Sequence, residues 1–256
     1  MSIETFNKEN LDHILKELAK EYKKLGGKKM PAEIILIGGA AVIENYGFRE
    51  MTTDIDAVIE AASMMKEAVN HVGDRLNLPN GWLNDDFKKT DSYSKSLSEI
   101  SVYYRTFSGV LNIRTVSAEF LIAMKLKAGR KYKNDLSDVV GILAEHKAKG
   151  DEISYDKIDS AMVKLYGSWD NVPEDSIVFI KDLMANGDYT SVFEDVRKNE
   201  KMAKELLVDF EDKYPGVTKT DNVDAILTSL KEKAETKASI LDKLHQMEEK
   251  NDSFEN

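Results

Sequence analysis

Cysteine is absent from the 256 residues, which excludes disulfides, thiolate metal sites and a cysteine nucleophile. Histidine is scarce, and His13, His71, His146 and His245 are too scattered along the chain to make the ligand set of a zinc site. No run of eighteen apolar residues occurs, so the sequence predicts no membrane span and no membrane partner. Met1–Glu9 is polar and lacks the apolar stretch of a cleavable signal. These absences point to a cytoplasmic protein. Internal repeats and low-complexity tracts are also missing. What remains is a 28.9 kDa chain with 42% hydrophobic residues, enough for one sizeable domain and a smaller one.

Positive charge is lacking over one part of the chain. Residues 1–150 hold 22 basic and 21 acidic side chains, whereas residues 151–256 hold 14 and 25, so the net charge of −10 belongs to the second part. Such an acidic region repels nucleic-acid phosphates, which argues against duplex DNA as a partner. Within the neutral part, Lys125, Lys127, Arg130, Lys131 and Lys133 lie close together. That cluster reads either as a phosphate site or as a solvated helix end whose cations complement the helix dipole.

Hydrophobic spacing places the elements. Leu11, Ile14, Leu15, Leu18, Tyr22 and Leu25 recur at helical intervals before Gly26-Gly27. Ile34–Ile37 is a short apolar run, read as a buried strand, and Gly38-Gly39 then gives a tight turn into a helix over Ala40–Tyr46. Fourteen residues after Gly39, Thr53–Ile59 reads as a second strand carrying Asp54 and Asp56 on one face. Met64, Met65, Ala68, Val72 and Leu76 mark a helix, its methionines read as core. Ser98–Phe107 and Val110–Val116, split by Ser108-Gly109, read as a hairpin. Ser117–Arg130 is apolar on nearly every side, hence a buried helix, and Lys125 within it needs an anionic partner or a route to water. Asn134 can cap the next helix, with Asp135 and Asp138 in its first turn. Asp135 borders the apolar stripe of Leu136, Val139, Val140 and Leu143, and Asp138 projects further from it. Beyond Gly150 the composition shifts to charged helices, ending in a stripe from Val223 through Leu241 and Leu244 and a frayed Glu248–Asn256.

Two carboxylates held as close as Asp54 and Asp56 repel each other by about 4 kcal/mol at ~4 Å and an effective dielectric of ~20. A divalent cation removes that repulsion. A buried strand, a glycine turn where backbone can approach phosphate, and paired acids together suggest nucleotidyl transfer. The structural alternative puts Asp54 and Asp56 on the solvated face of an edge strand and makes Gly38-Gly39 an ordinary turn.

Gly38-Gly39 followed by Asp54-Ile55-Asp56 resembles the signature of the nucleotidyltransferase fold, and later segments narrow the likeness. Leu78–Asp85, with Pro79, Trp82, Leu83, Asn84 and Asp85, resembles a Pro-x-x-Trp-Leu-Asn-Asp segment of a family of minimal nucleotidyltransferases of unknown function, DUF6036. Lys125 and Arg130 followed by Asp135 and Asp138 resemble a pattern shared with AbiEii-type toxins of type IV toxin–antitoxin systems. The likeness covers about residues 30–165. The third strand acid of the wider fold has no clear counterpart, Glu99 being the candidate.

The resulting expectation is an α/β (α+β) fold: a nucleotidyltransferase-like core over residues 1–150, with a small mixed sheet flanked by helices, and an acidic helical region over 151–256. The resemblance implies Mg²⁺-dependent transfer of a nucleoside monophosphate from an NTP to the hydroxyl of a tRNA or other RNA, a protein or a small molecule. In this reading Asp54 and Asp56 hold the metal and Gly38 and Gly39 admit the phosphates. Lys125 and Arg130 offset charge, and Asp135 and Asp138 take part in catalysis and nucleotide binding. A toxin role would bring an antitoxin partner. The alternatives are an inactive binding protein of the same fold and a drug-modifying type of small-molecule nucleotidyltransferase.

Overall fold

A computed structural model describes residues 5–219 and 221–234. The described residues divide into two compact units. One contains the residues up to Gly129 together with Asp135–Phe193, the other Arg130–Asn134 together with the residues from Glu194 on.

The first unit opens with helix α1, Lys8–Lys24, whose start is fixed by a reciprocal cap: the Asn7 and Asn10 side chains each accept from the other's backbone N–H at 2.9 Å. Its apolar stripe, from Leu11 to Tyr22, is buried as the spacing predicts. Strand β1, Ala32–Leu36, is followed by helix α2, Gly38–Asn45, and strand β2, Ile55–Glu60. Helix α3, Met64–Leu76, packs on α1. A two-residue strand β3, Leu83–Asn84, precedes a helical turn α4, Leu97–Ile100, and the hairpin β4, Val102–Phe107, and β5, Leu111–Thr115.

The five strands form one mixed sheet in the order β3-β2-β1-β5-β4. β1 runs antiparallel to β2 and parallel to β5, with Ile34 opposite Ile59 on one side and Ile113 on the other. As the middle strand it is covered on both faces, and Ile34, Ile35 and Leu36 are fully buried. The hairpin turns at Ser108 and Gly109, both with positive φ, 52° and 67°, and Val110 N–H donates to Phe107 O at 3.1 Å. Two positive φ values in succession match the twist of a hairpin. Its first strand is shorter than the expected Ser98 start. Leu97 and Ile100, three apart and both buried, form the helical turn α4 first.

Helix α5, Ala118–Ala128, is buried along most of its length, as its composition predicts, and ends at Gly129 with φ 52°. Helix α6, Asp135–Ala148, crosses next to it, and α7, Tyr155–Tyr166, packs on α5. Helix α8 covers Glu174–Asn186. Helix α9, Tyr189–Lys213, carries Ala203 and Leu207 of the second unit. There they form a small apolar cluster with Val223 and Leu227, flanked by Tyr132 and Ile226. Residues 223–234 are helical, so the first part of the expected terminal stripe is observed. Its continuation through Leu241 and Leu244, and the expected fraying at Glu248–Asn256, lie outside the described residues.

Candidate functional site

The sheet brings the glycine turn to Asp56. Ile37, extended at φ −135°, donates its N–H to Asp56 O at 3.1 Å, and Gly38 then adopts φ 57°. A Cβ at Gly38 would lie 3.2 Å from Asp56 Oδ2, so backbone and carboxylate meet where only a glycine leaves open space. Gly38 is also the first residue of α2, and Ile37 at the cap position offers no side-chain acceptor to the first-turn amides. Asp54 is exposed and sits in a bend just before β2 rather than in the strand. The preceding Thr52 pairs with Phe6, its N–H donating at 2.8 Å and its carbonyl accepting at 2.7 Å, so the chain must bend to enter β2.

Gly39 makes room for a second group. A Cβ there would meet Arg49 Nη2 at 2.7 Å and Thr52 Oγ1 at 2.6 Å, so the Arg49 guanidinium is seated on the glycine turn. Helix α6 holds this arginine in place. Phe48 fills a notch at Gly141, where a Cβ would lie 2.5 Å from the ring. Gly47 N–H donates to Glu145 Oε2 at 3.0 Å, and Arg49 Nη1 donates to Asp138 Oδ2 at 2.5 Å. Arg49 was not singled out from the sequence. It has no periodic setting, and its only signal is a lone cation between the glycine pair and Asp54.

Lys125 lies 3.0 Å from Asp135 Oδ1 and 2.8 Å from Asp138 Oδ2. Burial works to depress its pKa, but the two aspartates, Asp138 foremost, outweigh that effect and raise it above the ordinary lysine value. Asp135 and Asp138 are 0% and 2% exposed, so Asp138, which the spacing sets further from the apolar stripe, is nevertheless buried. Arg49 draws it inward. The four charges of Arg49, Lys125, Asp135 and Asp138 balance, and the lysine is already committed to two carboxylates.

The expected basic cluster is divided between the two units. Lys127 donates to Asn171 O at 2.6 Å and lies over the Tyr166 ring. Arg130, Lys131 and Lys133 lie between α5 and α6 in the second unit, with Lys133 along a groove beside Tyr132 and Lys204. Glu99 is exposed on α4, ahead of the edge strand β4, and β1 and β5 separate β4 from the strand of Asp56. At roughly 4.8 Å per strand, that places β4 some way from β2, so Glu99 is not the third acid of an Asp54–Asp56 site. The neighbour of β2 on its other side is β3, whose Asn84 is paired in register with Asp56. Among the described residues no group of three or more His, Cys, Asp or Glu is assembled to bind a metal. Nor is any helix among them long and apolar enough to cross a membrane.

A mixed sheet that delivers a glycine turn and a strand aspartate to one point defines a nucleotidyltransferase-like core, an α+β arrangement with helices on both sides. More narrowly, the chain belongs to the family described as nucleotidyltransferase of unknown function (DUF6036), whose model matches residues 13–163. That span includes every residue of the site from Gly38 to Asp138. Comparisons with curated proteins and with solved structures found no match.

Proposed function

We propose that the protein transfers a nucleoside monophosphate from a Mg²⁺-bound NTP to an acceptor hydroxyl. The observation that carries this reading is the approach of Gly38 to Asp56, 3.2 Å from the Cβ position to Oδ2, at the start of α2. Helix amides and a glycine cradle favour the triphosphate, and the carboxylate beside them favours its cation. The donor set suits Mg²⁺, which is commonly held by one or two carboxylates, substrate phosphates and water rather than by a full protein cage. Asp56 and Asp54 would hold it, and it would supply charge neutralisation at the phosphates.

The chain's own residues do the rest. Arg49 is placed on Gly39 to meet phosphate oxygens, and Asp138, itself held by Lys125, fixes the guanidinium. Asp135 is wholly buried against Lys125, which makes it a positioning residue rather than a group acting on the acceptor. The acceptor oxygen would bond to the α-phosphorus as the bond to pyrophosphate breaks, and the hydroxyl proton would leave to solvent or to the exposed Asp54. The likeness of Lys125, Arg130, Asp135 and Asp138 to AbiEii-type toxins supports a macromolecular acceptor and an antitoxin partner, and the net charge of −10 favours protein over RNA as that acceptor.

Calorimetry with each Mg-NTP tests the reading. The parent should bind, and Asp56→Asn should weaken binding at least about tenfold, the equivalent of ~1.4 kcal/mol, with an unchanged circular dichroism spectrum. If Asp54→Asn and Asp56→Asn both bind like the parent, the metal reading is wrong, and an inactive binding protein of this fold becomes the better account.

A further inference from the structure

We propose that Thr52 and Arg49 form the pyrophosphate subsite of this centre over Gly39, with the Thr52 hydroxyl donating to the diphosphate that leaves the NTP. The inference rests on the nucleotidyl-transfer reading above.

Two polar atoms converge on Gly39 with nothing to bond. A Cβ there would lie 2.6 Å from Thr52 Oγ1 and 2.7 Å from Arg49 Nη2, so both stand over the first turn of α2, close enough for one phosphate group to span them. Arg49 Nε is spent on Met51 O at 3.2 Å and Nη1 on Asp138, which leaves Nη2 as the free end of the guanidinium among the described residues. Thr52 is 7% exposed, and its hydroxyl makes no hydrogen bond among the described residues, to the α2 amides or to any other group. The residue cannot turn away. Its N–H and carbonyl are both paired with Phe6, and branching at Cβ restricts rotation of the side chain. A buried hydroxyl without a partner costs stability, a cost that is relieved where a ligand supplies the acceptor. Guanidinium and hydroxyl both donate, so the missing group is an acceptor of several hydrogen bonds, and beside a cation it is an anion.

Charge calls for the same group. The first-turn amides of α2 carry the positive end of the helix dipole, and Ile37 at the cap position offers them no acceptor. Arg49 sets a further positive charge beside them, and the two repel unless an anion lies between. Asp138 does not fill that role, because Lys125 shares it. The charges of Arg49, Lys125, Asp135 and Asp138 cancel among themselves and leave the helix end uncompensated.

Position along α2 assigns the phosphates. Gly38 meets Asp56, whereas Thr52 and Arg49 stand at Gly39, one residue further along the helix. The reacting α-phosphate belongs beside the strand carboxylate, and the two phosphates that depart belong over Gly39. When the bond from the α-phosphorus to the bridging oxygen breaks, its electron pair stays on the pyrophosphate. A cation and a hydroxyl are placed where that charge gathers.

Pyrophosphate with Mg²⁺ is the probe, measured by calorimetry on the full chain beside Mg-NTP and the matching nucleoside monophosphate. Thr52→Val keeps the shape and the backbone pairing with Phe6 and removes the hydroxyl. It should weaken pyrophosphate and NTP at least about tenfold, change the monophosphate less than about threefold, and melt no lower than the parent, since the hydroxyl it loses had no partner. Thr52→Ser retains the hydroxyl and should bind pyrophosphate within about threefold of the parent. A parent that does not bind pyrophosphate, a Thr52→Val protein that binds it like the parent, or a Thr52→Ser protein as weak as Thr52→Val overturns the assignment. So does a Thr52→Val protein that melts well below the parent, because the hydroxyl would then serve the fold. The two readings fail separately. Pyrophosphate bound through Thr52 by a chain that binds no Mg-NTP would keep the subsite and sink nucleotidyl transfer, whereas Mg-NTP binding weakened by Asp56→Asn but not by Thr52→Val would do the reverse.

Discussion

At the residue scale, glycines define the site because of what approaches them. Gly141 is the clearest case: it lies in a helix, where glycine costs about 1 kcal/mol relative to alanine, and is retained because Phe48 occupies its missing side chain. Gly141→Ala should force the ring out and destabilise the fold by about 1–3 kcal/mol despite better helix propensity. Since Phe48 precedes Arg49, nucleotide binding should weaken too. Thermal melting and calorimetry on the same sample read both effects, and a variant with the parent's melting temperature would show that the Phe48 notch yields freely. Lys125 finds the anionic partner that its buried helix called for in two carboxylates. Read as a phosphate contact, it should affect binding more than stability when replaced. Seated between Asp135 and Asp138, it instead compensates two buried charges, and Lys125→Ala should destabilise by about 3–5 kcal/mol. A Lys125→Ala protein that melts with the parent yet fails to bind Mg-NTP would restore the phosphate role.

At the element scale, α1 and α3 are joined by an ionic brace as well as by packing. Glu21 on α1 accepts from Arg75 Nη1 at 3.0 Å and lies 3.2 Å from His71 Nδ1, both on α3, and 3.1 Å from Lys24. Lys24 first, then His71 and Arg75, hold its carboxyl at about 2, below the usual 4.5. A carboxyl whose pKa is depressed in the folded state adds stability above its unfolded value, and that stability is lost as the pH falls toward the folded value. The brace should therefore weaken between about pH 4.5 and 2. Glu21→Gln should lower the melting temperature at pH 6 and flatten its decline over that window, as a pH series of melts would show. An unchanged acid profile would mean that other carboxylates govern acid unfolding.

The elements that periodicity described best were the ones governed by burial: α1 and α5 bury most of the residues that announced them, α3 buries Met65, Ala68 and Val72, and in the hairpin Leu111 and Ile113 of β5 are buried whereas Val102 and Tyr103 of β4 are exposed. Position within the sheet was less legible. β3 has two residues, too few for any alternation, and only its register with Asp56 gives Asn84 a meaning. Glu99 looked like a strand acid because it precedes a β-rich run, but Leu97 and Ile100 bury together in a helical turn instead. Arg49 and the burial of Asp138 are one fact seen from two ends. No local pattern joins residues so far apart in sequence.

At the scale of the whole molecule, charge is the property that composition fixes most directly. The net charge is −10 and the sequence pI about 5.1, and the basic residues once grouped at 125–133 are divided between the two units. Lys127 in the first unit is engaged by Asn171, and Lys131 and Lys133 lie in the second. A protein that neutralises several phosphates shows affinity falling steeply with salt, at a slope of about −0.9 per phosphate on duplex DNA and about −0.7 on single strands. The chain should show neither the affinity nor the slope. Filter binding with total RNA and with duplex DNA should give retention near background at about 150 mM salt, where screening extends only ~8 Å. Lys131→Glu with Lys133→Glu should leave that result unchanged, because retention is already at background. Saturable RNA binding with a steep salt slope, abolished by the double reversal, would instead place a phosphate track on residues 130–134 and make RNA the acceptor.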